Sequence, residues 1–214
     1  MAESFRLPRF KVCGVRRAAE ALAVITAGGD ALGLVSHRPS PRHVELDDAA
    51  TIVSLLPEGV LAVLVVVDAT PVDLERAARA VGAGAVQLCG AERAEDWHAF
   101  PLPILRRLAV EDGAERELER WLGVASGFVL DHPAAAGGTG RTVDLDLAAR
   151  LAARAPCLLA GGLEASCVAS AIERVRPAGV DASSRLESAP GVKDLARIAA
   201  FVRAARAALE EVAA

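Results

Sequence analysis

Short apolar runs alternate along the chain with alanine-rich amphipathic segments, a pattern that predicts βα units on a parallel sheet. Strands are predicted at Phe10–Cys13, Ala31–Val35, Val60–Val67, Ala85–Leu88, Ile104–Val110, Gly127–Leu130, Cys157–Ala160 and Gly179–Ala182. Val60–Val67 is apolar throughout, as a strand covered on both faces would be. Helices are predicted over Arg17–Ala27, Leu46–Leu56, Pro71 to near Gly82, a short stretch at Ala94–Trp97, Ala114–Leu122 and Asp144–Ala153, with one more from near Glu164 and a last over Val192–Leu209. Gly28 and Gly29 stop the first helix. Pro39 and Pro41 forbid helix between Ser36 and Arg42, leaving a stiff polar loop beyond a strand end.

Eight strands alternating with eight helices predict an α/β chain folded as a closed (β/α)8 barrel. An open doubly wound sheet is the alternative if two of the short strands fail to form. With 214 residues for eight units there is little room for insertions. No shift in composition marks an internal boundary, so residues 1–214 read as a single domain.

Composition narrows the function classes. The chain is 53% hydrophobic and 24% charged, which excludes a disordered chain. Net charge is −4 and aromatics make up 3%, so neither a basic patch nor a stacking platform for nucleic acid is present, and no anionic membrane surface is implied. Cys13, Cys89, Cys157 and Cys167 are far apart and form no CxxC pair, which argues against a zinc site or disulfide scaffold and suits a reducing cytosol. Met1–Ser4 opens no signal peptide, and the run Val60–Val67 is too short to span a bilayer. A soluble cytoplasmic protein is expected.

Candidate chemistry begins on the first strand. Lys11 and Cys13 share one face, with Phe10 and Val12 on the other. A neighbouring ammonium favours the thiolate, the form that accepts a proton. The plain structural alternative makes Cys13 a small buried hydrophobe and lets Lys11 carry its charge out to water. In a (β/α)8 barrel the active site forms at the C-terminal strand ends, with phosphate after the last two strands. Gly161-Gly162 and Ser183-Ser184 occupy those places and offer a cradle of backbone N–H groups. A tight strand-to-helix turn would use the same glycines. Gly137-Gly138-Thr139-Gly140 matches neither a dinucleotide fingerprint nor a Walker A loop. Asp131 ends the sixth strand, where a carboxyl serves either as a general acid or as a loop brace. Asp181, inside the eighth strand, poses the same choice. Arg42 is either a fork for a carboxylate or a solvated surface arginine.

Together these segments resemble the phosphoribosylanthranilate isomerases of tryptophan biosynthesis, which are (β/α)8 enzymes. The resemblance rests on Lys11-Val12-Cys13-Gly14, Ser40-Pro41-Arg42, Val86-Gln87-Leu88-Cys89-Gly90, Leu130-Asp131, Gly137–Gly140, Leu159–Leu163, Gly179–Ser184 and Pro190–Asp194, in the family's order across nearly the whole chain. It implies an Amadori rearrangement with no cofactor and no metal. By that resemblance Asp131 is the general acid and Cys13 the general base. Lys11, Arg42 and Asp181 are implied to bind substrate, Arg42 through the anthranilate carboxylate and Asp181 on the ring-amine side. Gly140, Gly161, Gly162, Ser183 and Ser184 are implied to hold the phosphate. The partner is a small phosphoribosyl substrate, and the protein is a monomer or homodimer.

Three positions depart from the family pattern. Cys89 stands where histidine is usual, Arg185-Leu186 where Gly-Val is usual, and Val143 and Leu145 where an aromatic pair follows the glycine loop. A diverged paralogue on a related phosphoribosyl substrate, or a non-catalytic phosphosugar-binding barrel, are the alternatives. An indole-glycerol-phosphate synthase would want further Lys and Glu at strand ends. A histidine-pathway isomerase would want aspartates where Cys13 and Val110 stand.

Overall fold

A computed structural model describes residues 5–133 and 143–213. Eight parallel strands close into a barrel in sequence order: β1 (Phe10–Cys13), β2 (Ala31–Val35), β3 (Leu61–Val66), β4 (Ala85–Leu88), β5 (Ile104–Ala109), β6 (Gly127–Asp131), β7 (Cys157–Leu159) and β8 (Gly179–Ala182). Closure is made by β8 on β1, where Phe10 pairs with Val180 and Lys11 with Asp181. The closed (β/α)8 expectation holds, and the open sheet is ruled out.

Strand alternation sorts the side chains into two cores. Phe10, Val12, Leu32, Leu64, Val86, Leu130 and Val180 face out and pack against the helices. Val35, Val63, Val65, Ala85, Leu105, Val129, Leu158 and Ala160 fill the interior, with Cys13 and Cys89 packed at its edge. β2, β3, β6 and β7 are therefore apolar on both faces, which is why the sequence shows runs there and not alternation, while β1, β4, β5 and β8 also carry the buried polar groups Lys11, Gln87, Arg106 and Asp181.

The helices are α1 (Ala18–Ala27), α2 (Leu46–Val53), α3 (Pro71–Val81), α4 (Ala114–Trp121), α5 (Leu145–Ala152), α6 (Val168–Val175) and α7 (Leu195–Ala213). Local signals set several of their ends. Thr70 accepts a hydrogen bond from the Asp73 amide, Pro71 takes the first helical position, and Gly82 closes α3 with φ +76°. Asp144 caps α5 by accepting from the amides of Asp146 and Leu147.

Three expectations are corrected. Only seven α-helices form among the described residues; after β4 the chain makes a single 3-10 turn at Ala94–Asp96. Pro101 and Pro103 leave no length for a helix there. α6 begins at Val168, because Glu164–Cys167 form a turn in which Cys167 Sγ accepts the Glu164 amide. Between β8 and the last helix lies an antiparallel hairpin, β9 (Glu187–Ala189) and β10 (Val192–Lys193), where the sequence reading began a helix. Gly191 turns the hairpin at φ +75°, and Asp194 caps α7 through the amides of Ala196 and Arg197.

Candidate active site

The C-terminal strand ends surround a pocket of about 420 Å³. Cys13 reaches it from β1, Arg42 from the loop after β2, Asp131 from β6, Gly161 and Gly162 from beyond β7, and Asp181, Ser183 and Ser184 from β8 and its extension. The sulfur of Cys13 and the carboxyl of Asp131, separated by most of the chain, thus open into one cavity. Gly33 makes room for the thiol: a Cβ there would lie 2.6 Å from Cys13 Sγ. Gly140 and the rest of its glycine run lie outside the described residues.

Lys11 is placed differently from its expected substrate role. It is fully buried, does not line the pocket, and gives its Nζ to Asp181 Oδ2 at 2.8 Å. Neither does it carry its charge to water. Burial alone would lower its pKa, but Asp181 and Cys13 opposite it outweigh burial and hold the ammonium above its ordinary range. Asp181 lines the pocket beside this pair, and among the described residues its buried Oδ1 accepts no hydrogen bond.

The thiol of Cys13 is pushed up, chiefly by burial and further by Asp181; Lys11 and Lys193 pull it down without overcoming burial. Lys11 thus favours the thiolate as expected, but burial of the thiol, aided by Asp181, outweighs it. Cys89 packs near the same mouth, and burial pushes its thiol up to about 12. Gln87 donates to its sulfur at 3.3 Å. All four cysteines are free.

Around the expected phosphate seat, Gly161 and Gly162 both lie in the left-handed region, at φ +79° and +74°. Such a turn bares consecutive backbone N–H groups. Ser183 Oγ donates to the Cys13 carbonyl at 2.9 Å, which ties the seat to the end of β1. Lys193 lies behind it and donates to the Ser183 carbonyl at 3.1 Å.

Arg42 lines the pocket, and one edge of its guanidinium is held by Glu187, with Nε at 2.7 Å and Nη2 at 2.9 Å from the two carboxylate oxygens. Glu187 also accepts from Lys193 Nζ at 2.9 Å. Burial would raise the Glu187 pKa, but Arg42 and Lys193 beside it hold it below its ordinary value.

Comparison with known proteins bears directly on this pocket. The family model for N-(5'phosphoribosyl)anthranilate (PRA) isomerase matches residues 10–204. The chain belongs to the PRA isomerase family. A PRA isomerase of Myxococcus xanthus is 41% identical over 203 residues, covering 92% of this chain and 96% of the relative. One from Geobacter sulfurreducens is 40% identical over 200 residues, covering 92% and 98%. The Thermotoga maritima PRA isomerase structure superposes with a TM-score of 0.84 at 34% identity, covering 94% of this chain and 100% of that one. A PRA isomerase solved with reduced 1-(o-carboxyphenylamino)-1-deoxyribulose 5-phosphate superposes with a TM-score of 0.82 at 32% identity, again covering 94% and 100%.

Sequence reasoning missed three residues that shape this PRA isomerase site: Glu187, Lys193 and Arg107. Arg107 lines the pocket and donates to Asp131 Oδ2 at 3.1 Å. Arg106 and Arg107 fall within the predicted strand Ile104–Val110, and strand alternation within a closed barrel must turn one of the two inward.

Proposed function

We propose that this chain isomerises N-(5'-phosphoribosyl)anthranilate to 1-(2-carboxyphenylamino)-1-deoxyribulose 5-phosphate, with Asp131 as general acid and Cys13 as general base. The observation that carries the assignment is the shared pocket: thiol and carboxyl enter it from β1 and β6, beside the glycine turn after β7. Asp131 passes a proton to the ribose ring oxygen, the C1–O bond breaks, and the anilino nitrogen lone pair forms a protonated Schiff base. That cation acidifies the proton on C2. Cys13 removes it, and the resulting enolamine tautomerises to the ketone. Acid–base work of this kind needs two positioned groups and calls for no metal or cofactor.

Burial holds Cys13 toward the thiol, so its proton passes to solvent before the sulfur acts as the base. The iminium charge formed in the first step favours the thiolate at that moment. Backbone N–H groups at Gly161, Gly162, Ser183 and Ser184 suit the phosphate, with Gly140 assigned to the same role by the resemblance. Arg42 suits the anthranilate carboxylate. Asp181 Oδ1 suits the anilino N–H, since a buried acceptor gains most from a donor brought by the ligand. Lys11 acts from beneath the floor by fixing Asp181. Four free thiols suit the reducing cytoplasm. A Thermotoga maritima relative is described as dimeric, which supports a homodimer as one of the two states, monomer or homodimer, proposed for this chain.

The test is turnover of phosphoribosylanthranilate by the purified protein, followed as loss of substrate fluorescence. Cys13→Ser and Asp131→Asn are each expected to lower kcat by about two orders of magnitude or more. A folded protein that binds the product analogue without turning substrate over would overturn the proposal and leave a phosphosugar-binding barrel.

A further inference from the structure

β5 carries two adjacent arginines, and strand alternation sends them to opposite sides of the barrel wall. Arg106 points out, where Glu92 and Glu117 accept its N–H groups and the Trp121 ring lies 4.8 Å from it. Arg107 points in. Its Nε donates to Asp131 Oδ2 at 3.1 Å and its Nη2 donates to the His132 carbonyl at 2.7 Å. The His132 amide donates in turn to Asp131 Oδ1 at 2.8 Å. The three bonds close a ring joining the ends of β5 and β6, and they fix both oxygens of the proposed acid.

We infer that Arg107 is a positioning residue for proton transfer by Asp131, a role that rests on the acid–base reading above. The charge balance shows why it matters. When the proton passes to the ring oxygen, the C1–O electrons go to that oxygen, the substrate becomes an iminium cation and Asp131 becomes a carboxylate. A fixed guanidinium interacts more strongly with that carboxylate than with the neutral acid. The interaction therefore grows along the reaction coordinate, and only such interactions accelerate a step. Its strength depends on exclusion from water, and the Arg107 side chain is 16% exposed. The second anchor, on the His132 carbonyl, keeps the guanidinium in place while the charge on Asp131 changes.

A double-mutant cycle in kcat separates this role from mere bracing. Arg107→Met is expected to lower kcat by about 10- to 100-fold with KM changed by less than about threefold. In an Asp131→Asn background the same change is expected to do little, since no carboxylate develops there. Arg107→Lys keeps charge without the fork and is expected to recover part of the loss; it also serves if the Met variant does not fold. An unchanged kcat in both single variants overturns the inference, as does an equal loss in wild-type and Asp131→Asn backgrounds. Where Asp131→Asn is itself crippled, either result leaves the acid–base reading standing. Full turnover by Asp131→Asn overturns the acid role and this inference together.

Discussion

Lys11 and Asp181 stand opposite one another on β1 and β8, and their charges meet at 2.8 Å beneath the pocket floor. A buried pair gains little net stability over an apolar pair of similar volume, whereas breaking it strands an uncompensated charge. Lys11→Met is therefore expected to cost about 3–5 kcal/mol, and the Lys11→Met/Asp181→Asn double variant to recover most of that. Urea denaturation of the wild type, Lys11→Met, Asp181→Asn and the double variant measures it. A loss in the double variant equal to the sum of the two single losses would show that the two charges are not coupled in the folded state.

Glu187 bears on substrate affinity through Arg42. It holds one edge of the guanidinium with two hydrogen bonds and gathers Lys193 onto the same carboxylate. Glu187→Gln replaces an acceptor-only group with one that also donates, so the bidentate hold is lost. KM is expected to rise by about 5- to 50-fold, as for one charge-assisted contact, with kcat changed much less. Arg42→Ala should reproduce the effect. A fall in kcat at constant KM would place Arg42 in the chemistry and not in carboxylate binding.

What could be read in the sequence was set by range. β1, β2, β4 and β8 fall where the apolar runs place them, because a strand covered on both faces leaves a continuous local signal. Helix ends marked by Thr70, Gly82 and Asp144 are equally local. The hairpin β9–β10 is carried by Pro190-Gly191 and Asp194, turn and cap signals that read as a helix start when the following alanine-rich run is weighed alone. The partners of Lys11, Arg42 and Asp131 lie 170, 145 and 24 residues away. No local pattern encodes such pairs. They exist because the barrel closes, so Cys13, Asp131 and Arg42 could be named as candidates from the sequence while Asp181 as the partner of Lys11, and Glu187 and Arg107 as partners of the other two, could not.

The Cys13 thiol makes a pH prediction. Burial and then Asp181 hold it above its ordinary value, against the pull of Lys11 and Lys193. The base form is therefore disfavoured in the free enzyme, and kcat/KM is expected to climb as pH rises above about 7. Lys193→Met removes one of the two cations that lower the thiol, so the ascending limb should move to higher pH. A profile that is flat from about pH 6 to about pH 9 in both proteins would remove the thiol from the proton-transfer step.

Cys157, behind the wall at β7, makes a prediction about stability alone. Burial pushes its thiol from the ordinary value of 9.0 up to about 12, and its sulfur lies 3.1 Å from the Ala155 carbonyl, an acceptor that serves only the protonated form. Between those two values the unfolded chain has lost the proton while the folded protein keeps it. The folded state then holds more protons than the unfolded chain, so stability is full below about pH 9 and is lost as pH rises through that window. Each such thiol is expected to remove up to about 1.4 kcal/mol per pH unit within it. Cys89, raised for the same reason, acts in the same direction. Denaturant unfolding under reducing conditions, at pH 8 and at steps up to about 10.5, should give a falling stability whose slope is shallower in Cys157→Ala. If the variant and the parent lose stability in parallel, the Cys157 thiol ionises as readily in the folded protein as in the unfolded chain.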